Sequence, residues 1–269
     1  MQYRLLVLDI DGTLRPAGQP RVPKETADAV CAVQKYGVKV AIATGRGRAE
    51  VPRGMLRGIR PDYWLCAAGS EVLDAAGREV YSCRMTPEEM YALVDFCEDR
   101  ELPLGFTYPD GGYVYLEYER MHQHELANGL EACLRDGEDQ DRHLLDLPFS
   151  AFARFPRPAV ADFQEKYGYL GLRFLFFSDD GCDVLRAGQD KAAGLTALLE
   201  HTGLTAADCA AVGDSNNDVE LLRMAGLSFC MQDGADTALA AAARRCPTAS
   251  ACGVAAVCRE LWPEAFAHA

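Results

Sequence analysis

The sequence lacks the signatures of several large protein classes. No run approaches the roughly 20 apolar residues of a membrane-spanning helix. The first apolar residues run into Asp9 without a cleavage site, so we do not expect a secretory signal peptide. No Gly-x-x-x-x-Gly-Lys-Ser/Thr run is present, which argues against a P-loop nucleotide site. No serine has the Gly-x-Ser-x-Gly pattern, which argues against a serine hydrolase.

Positive charge and paired cysteines are also scarce. The chain has 27 Lys and Arg against 40 Asp and Glu, a formal net charge of −13. Nucleic acids and anionic membranes need basic surfaces, so we expect neither as a partner. A small anionic substrate stays compatible, because one pocket can be locally positive. The 11 cysteines are odd in number and form no Cys-x-x-Cys pair, so we expect free thiols in a reducing cytoplasm.

The order of predicted elements indicates two kinds of architecture in one chain. Its 269 residues suffice for one large or two medium domains. The first part alternates strands and helices, with strands at 5–8, 38–43 and 63–66 and a helix at 23–36. This β-α-β-α-β order predicts a parallel sheet with right-handed crossovers. Hairpins and helices then mix, before the alternation returns after about residue 188 and ends with an alanine-rich helix near 236–244 and a last helix.

Polar side chains follow three of the predicted strands at the point where each strand ends. They are Asp9, Asp11, Thr44, Asp214 and Asp218, and Lys191 opens the helix before the last of these strands. In a doubly wound sheet the carboxyl ends of neighbouring strands converge on one crevice. We therefore expect these carboxylates, the hydroxyl and the ammonium group to lie close together.

This set of groups fits phosphoryl transfer from a monoester. A carboxylate that attacks a phosphate dianion is repelled, so positive charge must lie between them. Carboxylate oxygens of Asp9 and Asp214 suit Mg²⁺, and Lys191 supplies a second positive charge. Enzymes accelerate phosphate-monoester hydrolysis by up to about 10²¹-fold. General acid–base catalysis contributes only about 10²–10⁴-fold, so a nucleophile, a metal and a charge clamp are needed together.

Four ordered motifs resemble those of the haloacid dehalogenase (HAD) superfamily. They are Asp9-Ile10-Asp11-Gly12-Thr13, Thr44-Gly45-Arg46, Lys191 and Gly213-Asp214-Ser215-Asn216-Asn217-Asp218. The hairpin-rich insertion after the second motif resembles the type C2 cap of Cof-like (IIB) phosphatases. The likeness covers essentially the whole chain. It implies an α/β fold with a Rossmann-like parallel-sheet HAD core at 1–82 and 186–269, and an inserted α+β cap at 83–185 that selects the substrate.

The resemblance also implies a role for each motif residue. Asp9 is expected to be the nucleophile that forms an aspartyl-phosphate, and Asp11 to protonate the leaving alcohol and then activate water. Mg²⁺ is expected to be bound by Asp9, the Asp11 backbone carbonyl and Asp214, with Asp218 supporting these ligands. The phosphate-binding residues that it implies are Asp9, Gly12, Thr44, Gly45, Lys191 and Asn217.

Two positions depart from the family pattern. Relatives often carry Asn-Gly where this chain has Ala68-Gly69-Ser70, and Gly-Asn where it has Gln232-Asp233. Neither change removes a catalytic group, but both bear on loop geometry and substrate contacts. The cap residues that we consider for substrate contact are Arg84, Tyr113, Arg154 and Arg173.

The sequence thus predicts a cytoplasmic, Mg²⁺-dependent phosphatase that acts on a small phosphorylated metabolite such as a sugar phosphate. We expect a monomer or homodimer. Two alternatives stay open on the same fold. A phosphomutase would return the phosphoryl group to a sugar, and a non-catalytic regulator would only bind a phosphorylated ligand.

Overall fold

The computed structural model describes residues 3–127 and 134–267, and these divide into two compact units. The first unit comprises Met1–Thr44, Pro52–Tyr81 and Asp190–Ala269, and the second Gly45–Val51 and Ser82–Gln189. The domain boundaries given above remain a prediction. The segment Gly45–Val51 lies within the range expected for the core, yet it packs with the second unit.

The described residues form fourteen strands and eight α-helices. The strands are β1 (Leu5–Leu8), β2 (Lys39–Ala43), β3 (Tyr63–Cys66), β4 (Glu71–Asp74), β5 (Glu79–Ser82), β6 (Leu104–Tyr108), β7 (Gly111–Leu116), β8 (Leu134–Asp136), β9 (Ser150–Arg154), β10 (Arg173–Phe176), β11 (Gly181–Leu185), β12 (Cys209–Gly213), β13 (Leu227–Met231) and β14 (Arg244–Cys246). The helices are α1 (Lys24–Lys35), α2 (Pro87–Glu98), α3 (Tyr118–Ala127), α4 (Ala159–Tyr167), α5 (Lys191–Thr202), α6 (Val219–Met224), α7 (Asp236–Ala241) and α8 (Gly253–Leu261).

A mostly parallel sheet organises the first unit. Its strand order is β14-β13-β12-β1-β2-β3-β4-β5, and every pair from β14 to β3 is parallel, whereas β4 runs antiparallel to β3. The central strand β1 pairs in register with both neighbours, so that Leu8 lies opposite Ile42 and Val212. The carboxyl ends of β1, β2 and β12 therefore meet at one edge of the sheet, as the sequence predicted.

Helices cover both faces of this sheet. Side chains of α5, α6 and α7 pack with Leu5 and Val7 of β1 in one apolar cluster. Because successive side chains of a strand alternate, Leu6 and Leu8 point to the other face, and both are fully buried. Helices α1 and α8 pack against each other outside that cluster and cover this second face. The predicted α/β class with a parallel-sheet core is confirmed.

The second unit is an α+β arrangement around a six-stranded sheet of order β10-β11-β9-β6-β7-β8. Strands β6 and β7 form the predicted hairpin, in which Tyr108 pairs with Gly111. Helix α2 begins with a capping box, in which the Glu89 N–H donates to the Thr86 hydroxyl (3.2 Å) and the Thr86 N–H to the Glu89 carboxylate (2.7 Å). The core is aromatic: Phe96 stacks on Phe155 at 5.3 Å and meets Phe163 edge-on at 5.2 Å.

Two predicted elements are wrong. The β-α-β-α-β order requires an α-helix between β2 and β3, but that connection has only a short 3₁₀ helix, Arg48–Glu50. The alanine-rich helix predicted near 236–244 ends at Ala241, and Arg244–Cys246 form β14 instead. This strand pairs with β13, with Phe229 opposite Arg244, so tertiary pairing overrides the helical preference of the alanines. Among the described residues, no helix has both the length and the apolar content to cross a bilayer.

Candidate active site

A tight loop after β1 carries the first predicted motif. The Asp9 N–H still donates to Val212 O (3.1 Å), which continues the pairing of β1 with β12. The chain then turns back on itself, because the Arg15 N–H donates to Ile10 O (2.8 Å) and the Gly12 N–H to Arg15 O (2.9 Å). Asp9 is only 5% exposed. The loop thus holds a buried carboxylate at the carboxyl edge of the sheet.

Gly12 lets this loop approach the fourth motif. Its φ is +91°, and a Cβ there would lie 2.3 Å from Asp214 Oδ2, so any side chain would collide with that carboxylate. The next residue binds the same carboxylate, since Thr13 Oγ1 donates to Asp214 Oδ1 (2.6 Å). The Gly12 N–H already donates to Arg15 O, so its predicted role in phosphate binding would require that bond to open.

A buried ion-pair network joins three of the predicted residues. Lys191 Nζ donates to Asp9 Oδ1 at 2.7 Å and to Asp218 Oδ1 at 2.6 Å. The Lys191 and Asp218 side chains are fully buried, and that of Asp9 is 7% exposed. A charge so deeply removed from water is tolerated only when it is paired and hydrogen-bonded.

The start of α5 fixes the position of Lys191. Asp190 caps the helix by accepting a hydrogen bond from the Ala193 N–H (2.9 Å). The loop after β3 approaches this cap so closely that a Cβ on Gly69 would lie 2.2 Å from Asp190 O. Lys191 is therefore held by the cap on one side and by the loop after β3 on the other.

Asp218 positions the fourth motif. While its Oδ1 accepts from Lys191, its Oδ2 accepts from the backbone N–H groups of Asp214 and Ser215, both at 3.0 Å. Gly213 permits this approach, because a Cβ there would lie 2.6 Å from Asp218 Cγ. The chain that carries Asp214 is thus tied to the Lys191 network through one carboxylate.

The three acids form a compact cluster suited to a hard cation. One carboxylate oxygen from each of Asp9, Asp214 and Asp218 lies within 4.8 Å of the others. Burial raises the pKa of Asp9 well above its usual value, and burial also raises the pKa of Asp214 to about 6. Three carboxylates share one ammonium group, so the cluster is short of positive charge. Three carboxylate oxygens with unbalanced negative charge are suited to bind Mg²⁺.

Lys191 stays charged in this setting. Burial alone would lower the pKa of its ammonium group, but attraction to Asp218 and Asp9 outweighs burial and raises that pKa above its usual value. A positive charge therefore lies beside Asp9 at neutral pH.

Asp11, the predicted acid and base, lies outside the acidic cluster. Its side chain is 38% exposed, and its Oδ1 accepts hydrogen bonds from Nε (2.9 Å) and Nη2 of Arg15. The sequence analysis overlooked both Arg15 and Thr13. The signal for Arg15 was an opposite charge four residues after Asp11, and the hydroxyl after Gly12 pointed to Thr13.

The remaining predicted phosphate-binding residues occupy different surroundings. Thr44 is buried at the end of β2, where its N–H donates to Leu65 O and its carbonyl accepts from the Ala68 N–H, both at 2.9 Å. Asn217 Oδ1 accepts from Ser215 Oγ (2.8 Å). Gly45 is the first residue of the second unit. Phosphate binding by these residues remains a prediction.

The loop that departs from the family pattern has an unusual backbone. Ala67, Ala68 and Gly69 all have positive φ, at 47°, 51° and 90°. Such a conformation costs an alanine about 1–2 kcal/mol, whereas asparagine and glycine tolerate it. The loop keeps its shape because it links Thr44 of β2 to the cap of α5.

The cap candidates all lie in the second unit and already make contacts there. Arg84 Nη1 donates to Leu147 O (2.8 Å), and Tyr113 Oη donates to Asp110 Oδ2 (2.7 Å). Arg154 Nη1 lies 2.6 Å from His124 Nε2, and Arg173 begins β10. Their contact with substrate remains a prediction.

The fold and this cluster define a class of enzyme. An open parallel sheet with carboxylates and a buried lysine at its carboxyl edge is suited to phosphoryl transfer with metal assistance. A family model described as haloacid dehalogenase-like hydrolase matches residues 6–257, and the chain belongs to that family. The predicted resemblance to the HAD superfamily is therefore confirmed.

Curated relatives are similar at modest identity. An HMP-PP phosphatase from Klebsiella pneumoniae is 26% identical over 85% of this chain and 84% of its own. The chain spans about half the length of two others. A bifunctional phosphatase/peptidyl-prolyl cis-trans isomerase from Streptococcus pyogenes is 26% identical over 86% of this chain and 48% of its own. A chloroplastic endoribonuclease YBEY from Arabidopsis thaliana is 24% identical over 90% and 43%.

Solved structures share the fold. A HAD/Cof-like hydrolase from Plasmodium vivax has a TM-score of 0.86 at 20% identity, covering 98% of this chain and 96% of that one. A HAD subclass IIB sugar phosphatase has a TM-score of 0.83 at 20% identity, covering 96% and 98%. The chain therefore has the same fold as these two structures.

Proposed function

We propose that this protein is a Mg²⁺-dependent phosphatase that hydrolyses the phosphate monoester of a small metabolite. In the proposed reaction the phosphoryl group is carried transiently on the Asp9 carboxylate. The observation that carries the proposal is the buried network in which Lys191 lies 2.7 Å from Asp9 and 2.6 Å from Asp218. An oxygen of Asp214 lies within 4.8 Å of oxygens of both acids, so the three carboxylates could bind one metal ion. Burying the carboxylates of Asp9 and Asp218 with the ammonium group of Lys191 costs stability, and catalysis explains why the chain bears this cost.

Asp9, Asp214 and the backbone carbonyl of Asp11 would bind the metal, and Asp218 would orient these ligands through Lys191 and the backbone of residues 214–215. Bound there, Mg²⁺ would supply the positive charge that lowers the repulsion between an attacking carboxylate and the phosphate dianion. The raised pKa values of Asp9 and Asp214 support this assignment, because both acids gain a partner for their charged forms when a cation binds.

The reaction has two steps: transfer of the phosphoryl group to Asp9, and its hydrolysis. Lys191 holds Asp9 Oδ1, so Oδ2 attacks phosphorus, and the bond from phosphorus to the ester oxygen breaks as Asp11 gives that oxygen a proton. In the second step, Asp11 takes a proton from water, whose oxygen attacks phosphorus and displaces the Asp9 carboxylate. Lys191 and Thr44 neutralise and bind the phosphoryl oxygens in both steps.

The names of two similar proteins support a proposal for the substrate class. One is named an HMP-PP phosphatase and a structural neighbour a sugar phosphatase, so we propose a small phosphorylated metabolite of this size range. The ten described cysteines are free thiols, which supports a reducing compartment, and we propose the cytoplasm. The state of assembly that we expect is a monomer or homodimer.

The test is phosphate release from a panel of sugar phosphates, phosphorylated vitamin precursors and nucleotides, together with p-nitrophenyl phosphate. We expect release with Mg²⁺, none with EDTA, and none from Asp9→Asn. Asp28→Asn, which changes an exposed aspartate on α1, is the matched control and should keep full activity. Turnover that survives in Asp9→Asn would refute the nucleophile. A requirement for a bisphosphate activator would identify a phosphomutase instead, and tight phosphate-ester binding without turnover a regulator.

A further inference from the structure

Asp11, the residue proposed to exchange protons, is paired with Arg15, which lies outside the four motifs. Arg15 directs two guanidinium donors, Nε and Nη2, at the same carboxylate oxygen, Asp11 Oδ1. The Arg15 side chain is 15% exposed, whereas that of Asp11 is 38% exposed. The guanidinium group of Arg15 is therefore mostly buried, whereas the Asp11 carboxylate is partly exposed to solvent.

Hydrogen bonds to groups other than the Asp11 side chain hold Arg15 in place. Its N–H donates to Ile10 O (2.8 Å), its carbonyl accepts from the Gly12 N–H (2.9 Å), and its Nη1 donates to Gln19 O. A guanidinium held at its backbone and at its far end has little rotamer freedom left to lose. It can therefore hold a carboxylate in one orientation at small entropic cost.

Asp11 needs such a partner because of its neighbours. The oxygens of Asp9, Asp214 and Asp218 already crowd within 4.8 Å, and a fourth carboxylate nearby is repelled by all three. The charge of Asp11 is close enough to contribute to the raised pKa of Asp214, although burial is the main cause. An unrestrained Asp11 side chain would sample orientations away from any reacting atom.

We propose that Arg15 is a positioning residue that orients Asp11 for proton transfer. This inference rests on the proposed function. Both Arg15 donors bind Oδ1, which restricts the rotation of the Asp11 carboxyl group. That carboxyl group gives its proton to the ester oxygen as the phosphorus–oxygen bond breaks, and later takes the proton of the attacking water. Arg15 itself touches no reacting atom.

The test uses leaving groups that differ in their need for a proton. An alkyl alkoxide leaves only when protonated, whereas p-nitrophenolate leaves unaided. The measured quantity is kcat/KM, which reports steps up to and including transfer to Asp9. In Arg15→Ala we expect kcat/KM to fall about 10–100-fold for an alkyl phosphate, the cost of a misplaced catalytic group. For p-nitrophenyl phosphate we expect no change.

Three further variants make the result decisive. Arg15→Lys should recover part of the loss, because it restores the charge but not the fork. Arg21→Ala, which changes an exposed arginine later in the same connection, should match wild type with both substrates. In an Asp11→Asn background, Arg15→Ala should add no further loss, since the group that it positions is gone. Circular dichroism and Mg²⁺ titration check that each variant folds.

Equal losses for both substrates in Arg15→Ala, or a loss that persists in the Asp11→Asn background, would overturn the inference and leave Arg15 a structural residue. The outcome is separate from that for the proposed function. If wild type and Asp9→Asn behave as proposed while Arg15→Ala is silent, only the positioning role fails.

Discussion

The two units of this protein each combine a sheet with helices, but their interiors differ. In the first unit, Lys191, Asp218 and Asp9 are buried almost completely and held together by short hydrogen bonds. In the second, the interior is built from stacked aromatic rings, and its buried carboxylate, Glu89, caps a helix and pairs with Arg186. Buried charge costs stability, whereas aromatic packing supplies it. The difference indicates that the first unit carries chemistry and that the second supplies a stable scaffold.

Removing the buried cation should have the largest effect. Lys191→Met leaves the buried carboxylates of Asp9 and Asp218 without their cation, so we expect loss of activity and about 3–5 kcal/mol of destabilisation. The matched control is Lys39→Met, which breaks an ion pair with Asp62 in which the lysine is 58% exposed, and which should cost about 0–1 kcal/mol. Urea denaturation measures both. A similar small cost for the two variants would contradict the structural role of Lys191.

A cavity in the aromatic interior should affect stability alone. Phe163, which is 1% exposed, packs against Phe96, Phe155 and Phe174. Phe163→Ala should cost about 3–5 kcal/mol. It should leave Mg²⁺ affinity unchanged, because the acidic cluster belongs to the first unit and Phe163 to the second. Phe177→Ala, at a ring that is 65% exposed, serves as the control and should cost little. Weakened Mg²⁺ binding in folded Phe163→Ala would break the contrast between the units.

Acid should weaken Mg²⁺ binding. Burial raises the pKa of Asp214 to about 6, and a protonated Asp214 cannot bind a cation, so affinity at pH 5 should be about 10-fold below that at pH 7.5. In the absence of metal, acid has the opposite effect on the contribution of Asp214 to folding stability. The folded state binds the Asp214 proton more tightly than the unfolded state, so this group's contribution to stability is lost as pH rises through about 6. Calorimetric titration across this range tests the first statement, and thermal denaturation in EDTA tests the second.

The smallest effect should come from the left-handed loop. Ala68→Gly removes the strain of φ +51° but adds freedom to the unfolded chain and deletes a buried methyl group, so we expect a net stabilisation of about 0.5 kcal/mol. Ala32→Gly within α1 should instead destabilise by about 1 kcal/mol. Opposite signs in thermal denaturation are the expected result. Destabilisation by both variants would show that the loop is not strained.

Much of the fold was predictable because its signals are local. Asp9, Thr44 and Asp214 follow apolar runs that form β1, β2 and β12, and strand ends of a parallel sheet converge by geometry. The capping box of α2 and the hairpin of β6 and β7 are likewise written in neighbouring residues. Strands β4, β8 and β14 have three or four residues and no clear alternation, so their pairing depends on partners distant in sequence.

The sequence predicted that the site residues lie close together but not the hydrogen bonds that join them. Four motifs placed the acids and Lys191 near one another, but nothing local indicated that Asp218 would join Lys191 to the backbone of residues 214–215. The membership of Gly45–Val51 in the second unit also depends on tertiary packing. Gly69 illustrates the reason, because its close approach to Asp190 brings together residues far apart in the chain.

The most direct measurement of the central claim is the location of the phosphoryl group during turnover. Wild-type protein is mixed with Mg²⁺ and p-nitrophenyl phosphate, quenched in acid within one turnover, digested and analysed by tandem mass spectrometry. We predict a phosphoryl group on the peptide that contains Asp9, on the Asp9 side chain, and none in Asp9→Asn. Product formation without any phosphoryl group on that peptide, at a rate that Asp9→Asn matches, would contradict the account.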